Sequence, residues 1–254
     1  MKKTFMVLSV IVLLLFFVYR DNNNPKSVIL DWNKAKKMEP GQLRYVVNFL
    51  GIIPAGEALF SNQGLTDYKG VRAYHLSAFT QNLKIYHGLR KVSATLDSYV
   101  DAQDSNPVFF SQRLSVSGRP DVYKEVLYDQ KAGVIEVAGL KRQMPYGTQD
   151  PLSAIFNLRK MDFTKNKNFE LSLNTNQKNY VLEGSARDMV LNIHDKEYQI
   201  TVLEGKIHRR DKNNPYHQSK VTMYLLKQDG ENIPVLIKVF ASGILINAKL
   251  ADGS

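Results

Sequence analysis

The stretch "GTQDPLSAIFNLRKMDF", residues 147–163, predicts one helix in a chain whose other patterns predict strands. Asp150 stands before the apolar run, where its carboxylate can accept hydrogen bonds from free backbone amides. Pro151 occupies the first helical position, where a missing N–H costs nothing. Arg159 and the lysine after it fall in the last turn, where positive charge suits the negative end of the helix dipole. These signals predict a helix over about 151–160.

Apolar residues cover most of the circumference of this helix. Its polar positions form one narrow stripe, Ser153, Asn157 and Lys160, and the remaining positions are mainly apolar: Leu152, Ala154, Ile155, Phe156, Leu158 and Met161. A helix that lies on the surface of a sheet has a wider polar face. We therefore expect apolar partners on more than one side, as in the concavity of a curved sheet that the helix plugs or covers. Arg159 then either extends to the rim or contacts an anion or carboxylate inside.

The sequence on both sides of the helix alternates with the period of a strand. In "LRYVVNFLGI" (43–52), Leu43, Tyr45 and Val47 share one face, and similar runs recur as far as "PVLIKVFASGILINAKL" (234–250). Turn-rich pieces such as "SNQG" (61–64) separate them. About ten short strands of this kind indicate a mainly antiparallel sheet that curls or closes. The predicted fold is thus mainly β, a curved antiparallel sheet forming an open or half barrel around the central helix.

The last hairpin carries the clearest local signals. Asp229 and Gly230 tolerate the positive φ that a tight turn demands. Pro234 lacks an N–H to donate, so we expect it at the start of a strand or at a sheet edge.

The N-terminus predicts export. "MKKTFMVLSVIVLLLFFVYR" (1–20) has two lysines followed by an apolar run, residues 5–19, and no small-residue cleavage site follows it. We therefore predict a membrane helix acting as a signal anchor at 1–20, although the run is shorter than a typical span of about 17–25 residues. A cleaved signal peptide is the alternative. Residues 21–42 are predicted to be a connector, and 43–251 a single β-rich half-barrel domain.

The N-terminal lysines also predict where the domain lies. Positive charge stays in the cytoplasm, so the predicted location is the bacterial inner membrane, with a single anchor and the domain in the periplasm. Cleavage would instead release the domain into the periplasm. The net charge of +10 suits an anionic partner, and export excludes nucleic acid as that partner. The absence of cysteine excludes disulfides, thiol catalysis and acylation of an N-terminal cysteine.

Catalytic motifs are not found. The sequence has no phosphate-binding loop, nucleophile elbow or HExxH pair, and its five histidines are scattered. We predict no catalytic residues, no cofactor and no metal. Asp97, Asp101 and Asp104 suit either a carboxylate pair or, more simply, a strand end and a solvated loop. The run 206–220 suits either a solvated loop or a basic patch held near anionic headgroups, with Lys206, Arg209, Arg210, Lys212 and Lys220.

Three blocks of the sequence resemble a known family. "LRYVVNFLGIIPAGEALF", "TQDPLSAIFNLRKMDF" and "DGENIPVLIKVFASGILINAKL" are similar to the most recognisable blocks of a bacterial envelope family of unknown function, DUF 3108, over roughly 42–251. Where that family often has a tryptophan, this chain has Met223 and Tyr224. The resemblance implies no assigned activity. It implies a fold similar to the half-open barrels of the Lol-type lipoprotein carriers, in which a helix covers a hydrophobic concavity.

These expectations lead to three functional hypotheses. The first is a non-enzymatic, membrane-anchored periplasmic module that binds a lipid, an acyl chain or a lipidated partner in a pocket lined by Leu152, Ile155, Phe156 and Arg159. The second is a structural or protein-interaction module of the cell envelope, in which the same apolar side chains fill the concavity. The third is an envelope glycan hydrolase, which requires two carboxylates or a histidine with a nucleophile in one cleft.

Overall fold

The computed structural model describes residues 41–86, 88, 90–175, 178–193, 196–210, 219–228 and 230–251. The predicted anchor (1–20) and nearly all of the predicted connector (21–42) lie outside these ranges. In the part of the chain that is described, no helix combines the length and the apolar character needed to cross a bilayer.

The described residues form one antiparallel sheet and one α-helix. The helix, α1, is Pro151–Lys160, and a short 3-10 helix, Lys84–Tyr86, follows the third strand. The fourteen strands are β1 (Gln42–Phe49), β2 (Ile53–Tyr68), β3 (Val71–Asn82), β4 (Val92–Asp101), β5 (Pro107–Val116), β6 (Val122–Asp129), β7 (Val134–Val137), β8 (Leu140–Gln143), β9 (Asn168–Thr175), β10 (Lys178–Ile193), β11 (Lys196–Arg209), β12 (Ser219–Gln228), β13 (Glu231–Ala241) and β14 (Ile244–Leu250). The prediction of a mainly antiparallel β fold with one helix at about 151–160 is confirmed.

The strand order explains how the helix reaches the centre of the fold. β1 pairs with β14, so the two ends of the domain lie in the middle of the sheet, and its edges are the consecutive strands β8 and β9. The chain between these edges carries α1. At this seam the Gln149 N–H donates to Ser172 O (2.8 Å), and the Asn179 side chain donates to Gln143 O (3.0 Å). The sheet is therefore a barrel that is not closed, with its seam bridged by the segment that leads into the helix.

Several strand boundaries differ from the sequence prediction. "SNQG" (61–64) is not a turn, because it lies inside the sixteen-residue strand β2 at a shift of register, where the Gly64 N–H donates to the Asn62 side chain. "GVIEVAGL" is two strands, since Ala138 and Gly139 both have positive φ and form a two-residue turn. The strands are longer and more numerous than predicted, because the bulges and tight turns that extend or divide them carry weak sequence signals.

The prediction that Pro234 lies at the start of a strand or at a sheet edge is also wrong. The residue lies inside β13, an interior strand, opposite Leu225. The register shifts between Tyr224 and Leu225, which makes this a bulge, and pairing of β13 with β14 begins only at Leu236. A bulge tolerates proline because one ladder hydrogen bond is already missing there. The hairpin predicted between β12 and β13 is confirmed, since Gln228 pairs with Glu231.

The helix joins two of the three apolar clusters that form the core. Leu152 and Phe156 pack in a cluster with side chains of β3–β7, whereas Leu158 packs in a cluster with side chains of β9–β12. Ile155 is partly buried against the second of these clusters. The expectation that the helix has apolar partners on more than one side is therefore confirmed.

Two glycines that face each other across β10 and β11 permit close packing against the edge strand β9. A Cβ atom added to Gly184 would lie 2.8 Å from the ring of Phe169 and would also overlap the backbone of β11. A Cβ atom on its partner Gly205 would lie 2.8 Å from Leu182. The Phe169 ring thus covers a site at which only glycine fits.

We expect Gly184→Ala to lower the free energy of unfolding by about 3 kcal/mol, because neither the backbone nor the buried ring can move away cheaply. Chemical denaturation measures this loss. Gly88→Ala is the matched control, since nothing lies within 4 Å of a Cβ atom there, and its effect should stay within about 0.5 kcal/mol. Equal stability of the two variants would contradict the tight packing of β9 on the glycine pair.

Candidate functional site

The N-terminus of α1 is fixed by a buried carboxylate. Asp150 accepts hydrogen bonds from the backbone N–H groups of Leu152 (2.7 Å) and Ser153 (3.1 Å), and its own N–H donates to the Ser153 hydroxyl. The Ser98 hydroxyl of β4 donates to the second carboxylate oxygen (2.6 Å). The predicted cap is confirmed, with Pro151 in the first turn, and Ser98 also ties it to the barrel wall.

Burial controls the protonation of this cap. The Asp150 side chain has no exposed surface, and burial raises the pKa of its carboxyl, against the hydrogen bonds from Ser98, Ser153 and Leu152, which lower it. Its charge in turn adds to burial in raising the pKa of Tyr128.

The raised pKa of Asp150 predicts a pH dependence of stability. The folded state holds this proton more tightly than the unfolded chain does. The stabilising contribution is therefore complete below the ordinary aspartate pKa of 3.8, which applies to the unfolded chain, and it is lost as pH rises through the folded value. The unfolding free energy of the wild type, relative to that of Asp150→Asn, should therefore fall as pH rises across this window. Denaturation of both proteins at several pH values measures it, and a difference that moves in the opposite direction would contradict the assignment.

A partly buried network of amides supports the first turns of α1. The Asn157 side chain donates to Ser105 O (2.8 Å) and to the Gln149 side chain (2.9 Å), and the Gln149 side chain donates to Asn106 (2.9 Å). Asn157, which belongs to the polar stripe of the sequence, thus faces the β4–β5 loop. Gln149 and Asn106 were not predicted from the sequence, because these two partners are distant from each other in the chain.

The C-terminus of α1 is held by the β12–β13 hairpin. Arg159 forms an ion pair with Glu231 (2.9 Å) and donates to Asn232 O (3.3 Å). In return, the Asn232 side chain donates to the carbonyls of Arg159 (3.0 Å) and Met161 (3.1 Å), which the helix leaves unpaired. The predicted carboxylate contact of Arg159 is present, but it lies at the rim rather than inside, since Glu231 is 70% exposed.

The two residues of this rim contact should differ in their effect. We expect Asn232→Ala to lower the unfolding free energy by about 1–3 kcal/mol, because two helix carbonyls lose a buried donor. Glu231→Gln should change it by less than about 1 kcal/mol, because an exposed ion pair contributes little. Denaturation of both variants measures the contrast, and an equal or inverted order would show that the ion pair, rather than the amide, holds the helix.

Little space remains where the ligand pocket was predicted. Leu152, Ile155, Phe156 and Arg159 do lie together, facing β1–β3, but the cavity among them measures only about 30 Å³. Phe156 packs against the ring of Tyr74, with ring centroids 5.2 Å apart. This volume is about a tenth or less of that of a pocket for a drug-sized ligand.

The predicted basic residues are interleaved with acids. Lys206 and Lys220 pair across β11 and β12 and line an open groove of about 870 Å³, shared with Glu170, Glu183 and Glu204. Arg210 pairs with Glu170 (3.1 Å). Arg209, the last residue of β11, is partly exposed, and Lys212 lies outside the described residues. This surface therefore carries mixed charge.

The predicted acidic cluster does not converge on a cleft. Asp97 contacts His75 (2.9 Å), Asp101 accepts from the Gln103 N–H, and Asp104 accepts from the Asn106 N–H. Each carboxylate thus has a local structural partner. Across the described ranges, no group of three or more histidine, aspartate or glutamate side chains has an arrangement that suits a metal ion.

These features define a class of protein. In this class an antiparallel, barrel-like sheet stays open at one seam, and the chain segment at that seam leads into an internal helix. A family model described as "Protein of unknown function (DUF3108)" matches residues 44–244. The chain belongs to this family, which confirms the resemblance found in the sequence.

A solved structure has a similar fold. It is the crystal structure of a β-barrel-like protein of the domain of unknown function DUF1849 from Brucella abortus, with a TM-score of 0.56 and 11% identity, covering 84% of this chain and 96% of that chain. At this identity the likeness concerns the fold alone. The comparison with curated proteins finds no match.

Proposed function

We propose that this chain is a non-enzymatic interaction module of the bacterial cell envelope, attached to the inner membrane through residues 5–19, with its domain in the periplasm. In this proposal the barrel is a rigid scaffold rather than a container. The observation that carries it is the cavity of about 30 Å³ beside α1, since pockets for drug-sized ligands measure roughly 300–1,000 Å³. Leu152, Ile155 and Phe156 occupy the position that a ligand would take.

A second candidate is a carrier for a lipid, an acyl chain or a lipidated partner, with α1 as its lid. Similarity to the Lol-type carriers, which the sequence resemblance implies, favours it. The rim contacts of Arg159 with Glu231 and Asn232 are few enough to act as a latch. Opening would have to expose Leu152, Phe156 and Leu158, which are each less than a tenth exposed. A glycan hydrolase has no such support, because Asp97, Asp101 and Asp104 have separate local partners.

A covalent latch distinguishes the scaffold from the carrier. The chain has no cysteine, so Arg159→Cys with Glu231→Cys places a unique pair across the rim, which a short bis-maleimide can join. The full-length double variant is prepared in two forms, one cross-linked and one with both thiols capped separately by N-ethylmaleimide. Each form is titrated with a fluorescent fatty acid in the same detergent.

The difference between the two forms is the result that matters, because binding to micelles or to the N-terminal apolar run is common to both. The scaffold predicts equal titrations. Saturable binding to the capped form that the cross-link abolishes would overturn the scaffold and establish the carrier. Thermal unfolding of both forms checks that each retains its fold.

A further inference from the structure

Two turns at one end of the barrel project apolar side chains into solvent. Ile52, in the β1–β2 turn, is 74% exposed, and Ile85, in the 3-10 helix after β3, is 76% exposed. Leu50, in the same turn as Ile52, is 49% exposed. We call these three residues the apolar tip. Exposed apolar residues are ordinary when they are single, but a group on adjacent turns marks an interaction surface.

The tip is held in place by the barrel. The Leu83 N–H donates to Ala55 O (3.1 Å), and the Tyr86 hydroxyl donates to Pro54 O (2.9 Å). These bonds join the start of β2 to the 3-10 helix. The two turns are therefore joined to each other through the start of β2.

The backbone of the first turn is not the one that leucine favours. Leu50 has φ of +50° and Gly51 has φ of +79°, and the Ile52 N–H donates to Phe49 O (3.2 Å). This is a turn in which both central residues need positive φ, where asparagine, aspartate or glycine usually stands. A bulky residue in this region is an outlier from which a functional hypothesis is justified. Leu50 is half exposed, so the core does not require it.

The charges around the tip have one sign. The segments 49–54, 83–91 and 116–119 contain four basic residues and no acidic residue. Lys84, Lys91 and Arg119 are all exposed, and the Ser117 N–H donates to Lys91 O, which brings the β5–β6 turn beside this end. The acid that follows, Asp121, is paired with Arg113 (2.6 Å). The surface is thus an apolar tip with cations around it.

We propose that the apolar tip docks on an anionic lipid surface. Short apolar side chains can enter the boundary between headgroups and acyl chains, while lysine and arginine remain at the level of the phosphates. Charge complementarity argues for this partner, because each basic residue near an anionic membrane strengthens binding. The proposal goes beyond the scaffold function, since it does not depend on what the barrel encloses.

The test uses the full chain inserted in vesicles through its own N-terminal run. Ile85→Cys introduces the sole cysteine, which carries an environment-sensitive fluorophore. Vesicles of phosphatidylcholine alone are compared with an equal mixture of phosphatidylcholine and phosphatidylglycerol, each with brominated acyl chains as quenchers. We expect a blue shift and quenching in the mixed vesicles, reversed by high salt.

Removing charge separates the tip from the anchor. Lys84→Gln with Lys91→Gln should lower the partition of the label into mixed vesicles by about 25-fold, at roughly fivefold for each charge. Lys69→Gln with Lys131→Gln removes the same charge from turns at the other end of the barrel. This control should leave the partition of the label unchanged. A label that stays in water in both vesicle types would overturn the proposal. So would burial of the label that grows with the protein-to-lipid ratio and is equal in both vesicle types, which would indicate contact with a second copy.

Discussion

Asp150→Ala is expected to lower the free energy of unfolding by about 3 kcal/mol. Loss of a helix cap costs about 1 kcal/mol, and the backbone donors of Leu152 and Ser153, together with the Ser98 hydroxyl, would be left buried without an acceptor. Each such group adds a desolvation cost of about 1–3 kcal/mol when it stays unpaired, and partial relaxation reduces the sum. Urea denaturation measures the loss.

Asp150→Asn is the matched control for this prediction. Its amide oxygen can accept from the same two backbone N–H groups, and its NH₂ group can donate to Ser98. We expect it to remain within about 1 kcal/mol of the wild type near neutral pH, because a buried carboxylate without a cation is replaced by a neutral group of the same shape. A loss equal to that of Asp150→Ala would show that charge, rather than capping, is what the site requires.

Phe156→Ala is expected to have the largest effect, a loss of about 3–5 kcal/mol, because a buried aromatic ring at the centre of the barrel is removed. Phe156 is 7% exposed and packs with Leu152 against β3–β7. Thermal or chemical denaturation measures the loss. Phe79→Ala, at a position that is 40% exposed, is the matched control and should cost about 1 kcal/mol.

The same variant should acquire a ligand site that the wild type lacks. The space beside α1 would grow from about 30 Å³ by the volume of the removed ring, and a cavity left by a core side chain can bind benzene. Benzene should therefore stabilise Phe156→Ala and leave the wild type unchanged. A small loss of stability, or equal stabilisation of both proteins by benzene, would mean that the helix does not fill the barrel.

The helix was predictable because its signals are local. Asp150, Pro151 and Arg159 define its two ends within a few residues, and its apolar circumference indicates enclosure. Asn232, which holds its C-terminus, lies more than seventy residues away in the chain and has no signal of its own. The bulges within β2 and β13 were missed for a related reason, since one extra residue in a strand resembles a turn or an ordinary alternation.

Whether the concavity is empty or filled was not predictable from sequence. The same residues, Leu152, Ile155 and Phe156, would line a pocket or fill it, and the outcome depends on distances of a few ångström between α1 and the strands that face it. The basic run 206–220 was likewise predicted only in part, because its acidic neighbours could not be identified from the sequence. Cross-strand pairing places Glu183 opposite Lys206 and Glu170 opposite Glu183, and the pairing register is a property of the fold.

Native-state hydrogen exchange of α1 distinguishes a scaffold from a lid, because the two differ in the free energy at which the helix opens. If α1 is part of the core, the amides of Ala154 and Leu158 should exchange only by global unfolding, with the same free energy and denaturant dependence as those of Val202 and Leu225 in the sheet. Exchange of the helix amides at a markedly lower free energy, while the sheet stays protected, would rule out the scaffold and identify α1 as a lid.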